Sequence, residues 1–228
     1  MIDNKILQEV HDNWKRKGFP YYPKDKKWRD NIFNQLVNFK RDILIDRDNK
    51  VIGQAAHGLN LAWSYMEHSW AIKCGKMKTP KEVWNDEEHL KKGINKILSG
   101  TFFTIKSSSR PEGDLGSEIS KDRFQDKVTG ITESDMRSML RRYSGTQMVS
   151  NFRPTAAAAM YDLFVDKDSP LEGTKAGTVW DPSMGYGGRL LGAISAGVNY
   201  IGTDPCIPTY EGLEKIRDEY GHKHLSYT

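Results

Sequence analysis

The residues with the clearest chemical potential lie between Thr178 and Pro205, in TVWDPSMGYGGRLLGAISAGVNYIGTDP. Thr178–Trp180 is a short β-favouring run that ends at Asp181. A glycine-rich turn follows with Gly185, Gly187 and Gly188, then a helix-compatible stretch from Arg189 to Ala196. Gly197 falls where a helix C-cap belongs, and Asn199–Gly202 is a second β-favouring run ending at Asp204. Glycine at 185 and 187 lets the backbone turn tightly and approach a ligand with no Cβ in the way. Asp204, 17 residues beyond Gly187, suits a carboxylate that accepts both hydroxyls of a ribose. Asp181 has two readings: it accepts a hydrogen bond from a ligand ammonium, or it holds the loop. A strand–loop–helix–strand unit with an acid at each strand end is where a doubly wound sheet carries a nucleotide-like ligand. A tight turn without a ligand would use the same glycines. A dinucleotide site fits less well, because the sixth fingerprint position from Gly185 is Leu190, where Gly or Ala is expected.

DPSMGYGGRLLGA followed by YIGTDP resembles the S-adenosylmethionine-binding motifs of DNA amino-methyltransferases, the phage and bacterial enzymes that methylate adenine N6 or cytosine N4. NFRPTAAAAMYDLF is similar to that family's upstream helix, beside the methionine end of the cofactor. The resemblance covers roughly residues 141–216. It implies that Asp181, Pro182, Met184, Gly185 and Gly187 form the loop under the methionine and ribose, and that Asp204 binds the ribose hydroxyls. It also implies that Phe152, Arg153, Pro154 and Thr155 line the methionine side. Arg189 either meets a ligand carboxylate or phosphate or is an ordinary helix residue, and Ile207 or Pro208 would contact the adenine. DNA is the implied partner, and the cytoplasm of a bacterium or a phage-infected host the implied setting.

The family's catalytic loop reads Asp/Asn/Ser-Pro-Pro-Tyr/Phe and accepts the amino group of a base turned out of the helix. This chain contains no Pro-Pro dipeptide, and no catalytic residue is assigned. Only 24 residues follow Asp204, so the expectation is the N-terminal part of such an enzyme, with its cofactor half-site. The alternative is a binder of DNA or cofactor that does not catalyse: a remnant, a regulator, or one half of a split enzyme whose second chain supplies the catalytic half. Two parallel strands alone leave faces and an edge uncovered. Weak cofactor affinity and self-association are therefore expected.

The elements that must position this segment read as an α/β chain: a largely helical N-terminal region (1–145), then the start of a class I, Rossmann-like methyltransferase sheet (146–228). Ile6, Leu7, Val10 and Trp14 give a helix within 1–17 that stops at Gly18. A second helix is predicted over Asn31–Phe39, a hairpin around DRDNK (46–50), and a helix opening at Thr79-Pro80. Thr132 can cap ESDMRSMLRRYS, and KSSSRPEGDLGS (106–117) reads as a flexible stretch. The cluster Trp63, Tyr65, Met66 and Trp70 reads as core rather than as a base-stacking platform.

Composition sets the outer limits. The 228 residues carry a net charge of +4, with 37% hydrophobic residues and 11% aromatic ones, enough for a core and against a disordered chain. Neither a bilayer-spanning run nor a secretory leader is visible, and two cysteines make no disulfide framework, so a soluble intracellular protein is expected. Residues 1–150 are net +7 and residues 151–228 net −3. That asymmetry permits a polyanionic partner for the first part. The aromatic–basic stretch from Phe19 to Arg29, with Lys24, Lys26, Lys27 and Arg29, is the leading candidate for phosphate and base contact. Arg141 and Arg142 are the next candidates.

Overall fold

The computed structural model describes residues 3–100, 130–166 and 177–221. The flexible stretch expected at 106–117 lies outside the described residues. The architecture is mixed α/β, dominated by helices, with two two-stranded sheets among the described residues. No helix among the described residues is long and apolar enough to cross a membrane.

The chain forms two compact units that do not follow a single cut near residue 145. Unit 1 takes residues 1–21 and 70–148, and unit 2 takes residues 22–69 and 149–228. The aromatic–basic stretch is divided, because Phe19–Tyr21 belong to the first unit and Tyr22–Arg29 to the second. Local signals could not show this, since helices from distant parts of the chain share each core.

In unit 1, α1 (Asn4–Lys17) is capped by Asp3, whose side chain accepts from the Lys5 amide, and stops at Gly18, φ 86°. Thr79 opens α4 (Pro80–Asn85) with a capping box to Glu82. The expected longer helix is interrupted there: Asp86 takes an extended conformation and caps α5 (Glu87–Leu98) by accepting from the His89 amide. Thr132 caps α6 (Glu133–Ser144) reciprocally with Asp135, and Gly145 ends it in the left-handed region. Leu90, Ile94 and Ile97 on α5 and Met136, Met139 and Leu140 on α6 are fully buried with Val10, Trp14, Val83 and Trp84. Each such side chain contributes about 1.5–3 kcal/mol of transfer free energy.

In unit 2, α2 (Lys26–Val37) starts five residues before the predicted Asn31, because Asp25 accepts from the Trp28 amide and caps it. The hairpin forms as β1 (Ile45–Asp46) and β2 (Val51–Ile52), paired antiparallel. Helix α3 (Leu59–Ser64) is followed by a 3-10 turn at Glu67–Ala71. Trp63, Tyr65 and Met66 are buried, as is Trp70, where the chain has passed into unit 1, as expected for core residues. Helix α7 (Pro154–Phe164) precedes β3 (Thr178–Asp181), α8 (Gly188–Ala196), β4 (Asn199–Gly202) and α9 (Ile207–Tyr220).

Strands β3 and β4 pair in parallel, with Thr178 opposite Asn199 and Asp181 opposite Gly202. On one face Tyr200 is fully buried, while on the other Trp180 is 72% exposed beside the partly exposed Ile201. Helices α7 and α8 meet backbone to backbone: a Cβ on Gly192 would lie 2.6 Å from the Ala157 Cβ and 2.9 Å from the Pro154 carbonyl. The buried alanines 156–159 of α7 and the glycines of α8 are what permit that approach.

Candidate functional site

Strands β3 and β4 end side by side, which brings Asp181 and the Asp204 segment to one end of the pair. Between β3 and α8 the chain turns through residues 182–187, with Gly185 at φ 60° and Gly187 at φ 85°. That left-handed region costs other residues about 1–2 kcal/mol each. The loop is laced to β4: the Met184 amide donates to the Thr203 carbonyl at 2.9 Å, and the Thr203 hydroxyl donates to the Pro182 carbonyl at 3.0 Å. Met184 is buried over Gly202, where a Cβ would fall 2.3 Å from its Cγ.

The two strand-end acids have separate duties. Asp181 is buried and holds the loop. It accepts from Arg189 Nε at 2.5 Å, from the Ser183 amide at 3.1 Å and from the Tyr200 hydroxyl. Burial pushes its pKa up, but the hydrogen bonds from Arg189, Tyr200 and the Ser183 amide outweigh it and hold the carboxyl below the ordinary value. Of its two sequence readings, the structure places Asp181 in the loop-holding one. Asp204 lies half-buried at the end of β4. Its Oδ2 accepts the Gly185 amide at 3.1 Å and its Oδ1 accepts the Cys206 amide at 2.9 Å. A carboxylate has about four acceptor sites, so each oxygen keeps one for a ligand hydroxyl.

Beside the loop is a cleft of about 270 Å³ whose lining includes Gln54, Asn151, Phe152, Arg153, Tyr186 and Arg189, together with Met184 and Gly185 of the loop. It is slightly smaller than the roughly 300 Å³ at which small-molecule pockets begin. Phe152, Arg153, Met184 and Gly185 are thus brought together as the sequence suggested. Gly185 also offers open space, since a Cβ there would meet nothing nearer than 3.8 Å. Pro154 and Thr155 are placed elsewhere. Thr155 is fully buried, its hydroxyl accepting from the Ala55 amide at 3.0 Å and donating to the Ala55 carbonyl at 2.8 Å. Pro154 packs in the buried start of α7 near Gly58. Arg189 is drawn to Asp181 and to the Ser183 carbonyl. Pro182 is exposed, and Gly187 is buried against Ile216.

Two positions went unnoticed in the sequence. Asn151 bridges the glycine loop: its Oδ1 accepts the Gly188 amide at 3.2 Å and its Nδ2 donates to the Tyr186 carbonyl at 2.8 Å. Its neighbour Phe152 closes on α8, since a Cβ on Gly188 would be 1.9 Å from the Phe152 carbonyl oxygen. Asn at the head of NFRPT was the available signal. His68 bonds the Thr209 hydroxyl at 2.9 Å, with its ring 6.0 Å from that of Tyr186. Burial lowers its pKa, against a smaller opposing pull from Asp204, which leaves it neutral near pH 7.

The residues considered for DNA contact are dispersed. Lys24 pairs with Glu67 at 2.8 Å and Lys26 with Asp30 at 2.8 Å, while Lys27 is exposed on the first turn of α2. Arg29 turns inward over the Tyr65 ring at 3.9 Å and donates to the Ser64 carbonyl and hydroxyl. Lys26, Lys27 and Arg29 belong to the first turn of α2, ahead of the start predicted at Asn31, and Lys24 precedes its cap. In unit 1, Arg141 lies over the Trp70 ring at 4.7 Å, and Arg142 is exposed at the end of α6.

No protein-family model, curated protein or solved structure matches the chain in comparison.

Proposed function

We infer that unit 2 binds S-adenosylmethionine at the glycine loop as the cofactor half of a DNA amino-methyltransferase, with β3–α8–β4 as the start of a Rossmann-like sheet. The observation that carries this reading is the bond from the Gly185 amide to the Asp204 carboxylate. It brings the acid of the second strand to the turn of the first, with the free acceptor sites of that acid at the strand ends where a ribose belongs. The donor set fits the rest of the group. Arg153 supplies a positive charge beside the cleft for a ligand carboxylate, and Phe152 and Tyr186 supply apolar walls. The cleft accommodates the methionine end, and the ribose lies toward Asp204. Asp181 is left out of the ligand contacts, because Arg189, Tyr200 and the Ser183 amide take its oxygens.

When bound, the cofactor supplies an electrophilic methyl group. The residues of this chain orient it and shield it from water. A Pro-Pro loop for the acceptor amino group is not among these 228 residues. A second reading follows, in which these residues bind cofactor and DNA and methylate only when such a loop is supplied from outside them.

Equilibrium dialysis with tritiated S-adenosylmethionine tests the reading. The chain is expected to bind the cofactor, and Asp204→Ala or Gly185→Val to weaken binding at least about tenfold, the equivalent of 1.4 kcal/mol. Unchanged affinity in both variants would remove the site. Transfer of tritium to DNA by the chain alone would eliminate the second reading.

A further inference from the structure

The positive charge of the chain is concentrated in unit 1, which carries 19 Lys and Arg against 14 Asp and Glu, while unit 2 carries 15 against 16. Part of that excess converges on one aromatic scaffold. Phe19 contacts Trp70 edge-on at 5.4 Å, Trp84 edge-on at 5.5 Å and Tyr21 at 4.6 Å. Three elements direct cations onto this scaffold and onto Trp14, which shares a buried core with Trp84. From α1, Lys15 lies over Trp84 at 5.3 Å with its ammonium on the Trp84 carbonyl, and Lys17 lies over Trp14 at 4.8 Å. From α4, Lys81 lies over Phe19 at 4.5 Å and Tyr21 at 4.8 Å, and donates to the Tyr21 hydroxyl. From α6, Arg137 donates to the Pro20 and Tyr21 carbonyls, and Arg141 covers Trp70.

A helix C-terminus explains basic residues at the end of α1 through its dipole. It does not explain why α4 and α6 bring cations to the neighbouring rings Phe19, Tyr21 and Trp70. Among the described residues, the salt bridges of the structure do not include Lys15, Lys17 or Lys81. Their charges are held by ring faces, carbonyls and a hydroxyl, none of which neutralises them. Arg16, on the same turn as Lys15 and Lys17, is exposed.

We propose that this surface, with Lys15, Lys17 and Lys81 at its centre, binds the phosphate backbone of a nucleic-acid duplex. The aromatics position the cations and do not stack on bases, because Trp14, Trp70 and Trp84 are buried. Contact is therefore to phosphates and independent of sequence. The surface belongs wholly to unit 1, and binding there does not depend on S-adenosylmethionine.

Fluorescence anisotropy of a labelled 30-base-pair DNA duplex, without cofactor and between 50 and 200 mM salt, tests the proposal. Binding is expected to weaken linearly in log–log form. The triple variant Lys15→Gln/Lys17→Gln/Lys81→Gln is expected to bind at least about tenfold more weakly at 50 mM salt, with a slope shallower by about two to three. The double variant Lys15→Gln/Lys17→Gln leaves the Tyr21 contact of Lys81 intact and is expected to shift the slope by about two, which separates charge loss from misfolding. A matched variant in unit 2, Lys24→Gln/Lys26→Gln/Lys27→Gln, is expected to bind like the wild type. Absence of duplex binding at 50 mM salt, or a loss confined to the unit 2 variant, would overturn the proposal. So would tighter binding of a single strand than of the duplex, since that requires stacked bases. Loss of cofactor binding with duplex binding intact would count against the proposed function alone.

Discussion

Units 1 and 2 pack their helices by opposite means. In unit 1, large side chains fill the space between helices: Leu90, Ile94 and Ile97 of α5 meet Met136, Met139 and Leu140 of α6. In unit 2, α8 approaches α7 and the Asn151–Phe152 segment so closely that Gly188 and Gly192 have no room for a methyl group. Side chains can shift when a neighbour changes, whereas a backbone carbonyl in a packed helix start cannot. Unit 2 therefore fixes its glycine loop through backbone contacts, and unit 1 holds its helices through volume. A site that must place backbone amides against a ligand gains from the first kind of packing.

The comparison is broken most directly at Gly188. Gly188→Ala puts a Cβ 1.9 Å from the Phe152 carbonyl oxygen, and a destabilisation above about 4 kcal/mol is expected. Hydrogen exchange should show the loss in the amides of α8. Ile94→Ala, in the fully buried centre of unit 1, is expected to cost about 2–5 kcal/mol, read in the amides of α5. If the packing contrast holds, cofactor binding survives this substitution and not the first.

Asp181→Asn is expected to cost about 1–3 kcal/mol near neutral pH, since it leaves Arg189 without its charged partner. The folded pKa of Asp181 is lowered, so the stability it contributes is fully present above the ordinary value of 3.8 and disappears as pH falls through the lowered one. The gap between wild type and Asp181→Asn in urea unfolding should stay constant above about pH 5 and close in more acidic solution. The smallest effect is expected at Gly93→Ala. There a Cβ would fall 2.3 Å from Met139 Sδ, an adaptable thioether that can yield. Alanine also gains about 1 kcal/mol of helix propensity over glycine. A change within about 1 kcal/mol is therefore expected. A cost equal to that of Gly188→Ala would erase the distinction between the units.

The sequence made the loop and its flanks legible because their constraints are local. Gly185, Gly187 and Gly197 are demanded by left-handed backbone, Thr79 and Thr132 by helix starts, and Asp181 and Asp204 by strand ends. The start of α2 was missed because Pro23 and the run of lysines conceal the cap at Asp25. Residues 22–69 gave no sign that they pack with the C-terminal segment, since that depends on contacts such as Thr155 with Ala55, 100 residues apart. Asn151 was hidden for the same reason: its partners, Tyr186 and Gly188, lie across a tertiary contact. Arg29 and Thr155 show the converse, residues whose chemistry invites a ligand and whose surroundings consume them.

The most direct test of cofactor binding at the glycine loop is a titration of the labelled chain with S-adenosylmethionine, followed by amide nuclear magnetic resonance shifts. The largest shifts are expected at Gly185, Tyr186, Asp204 and Cys206, with smaller ones at Phe152 and Arg153 and none in α5 or α6. No shift at Gly185 or Asp204 at saturating cofactor, or shifts confined to unit 1, would contradict the assignment.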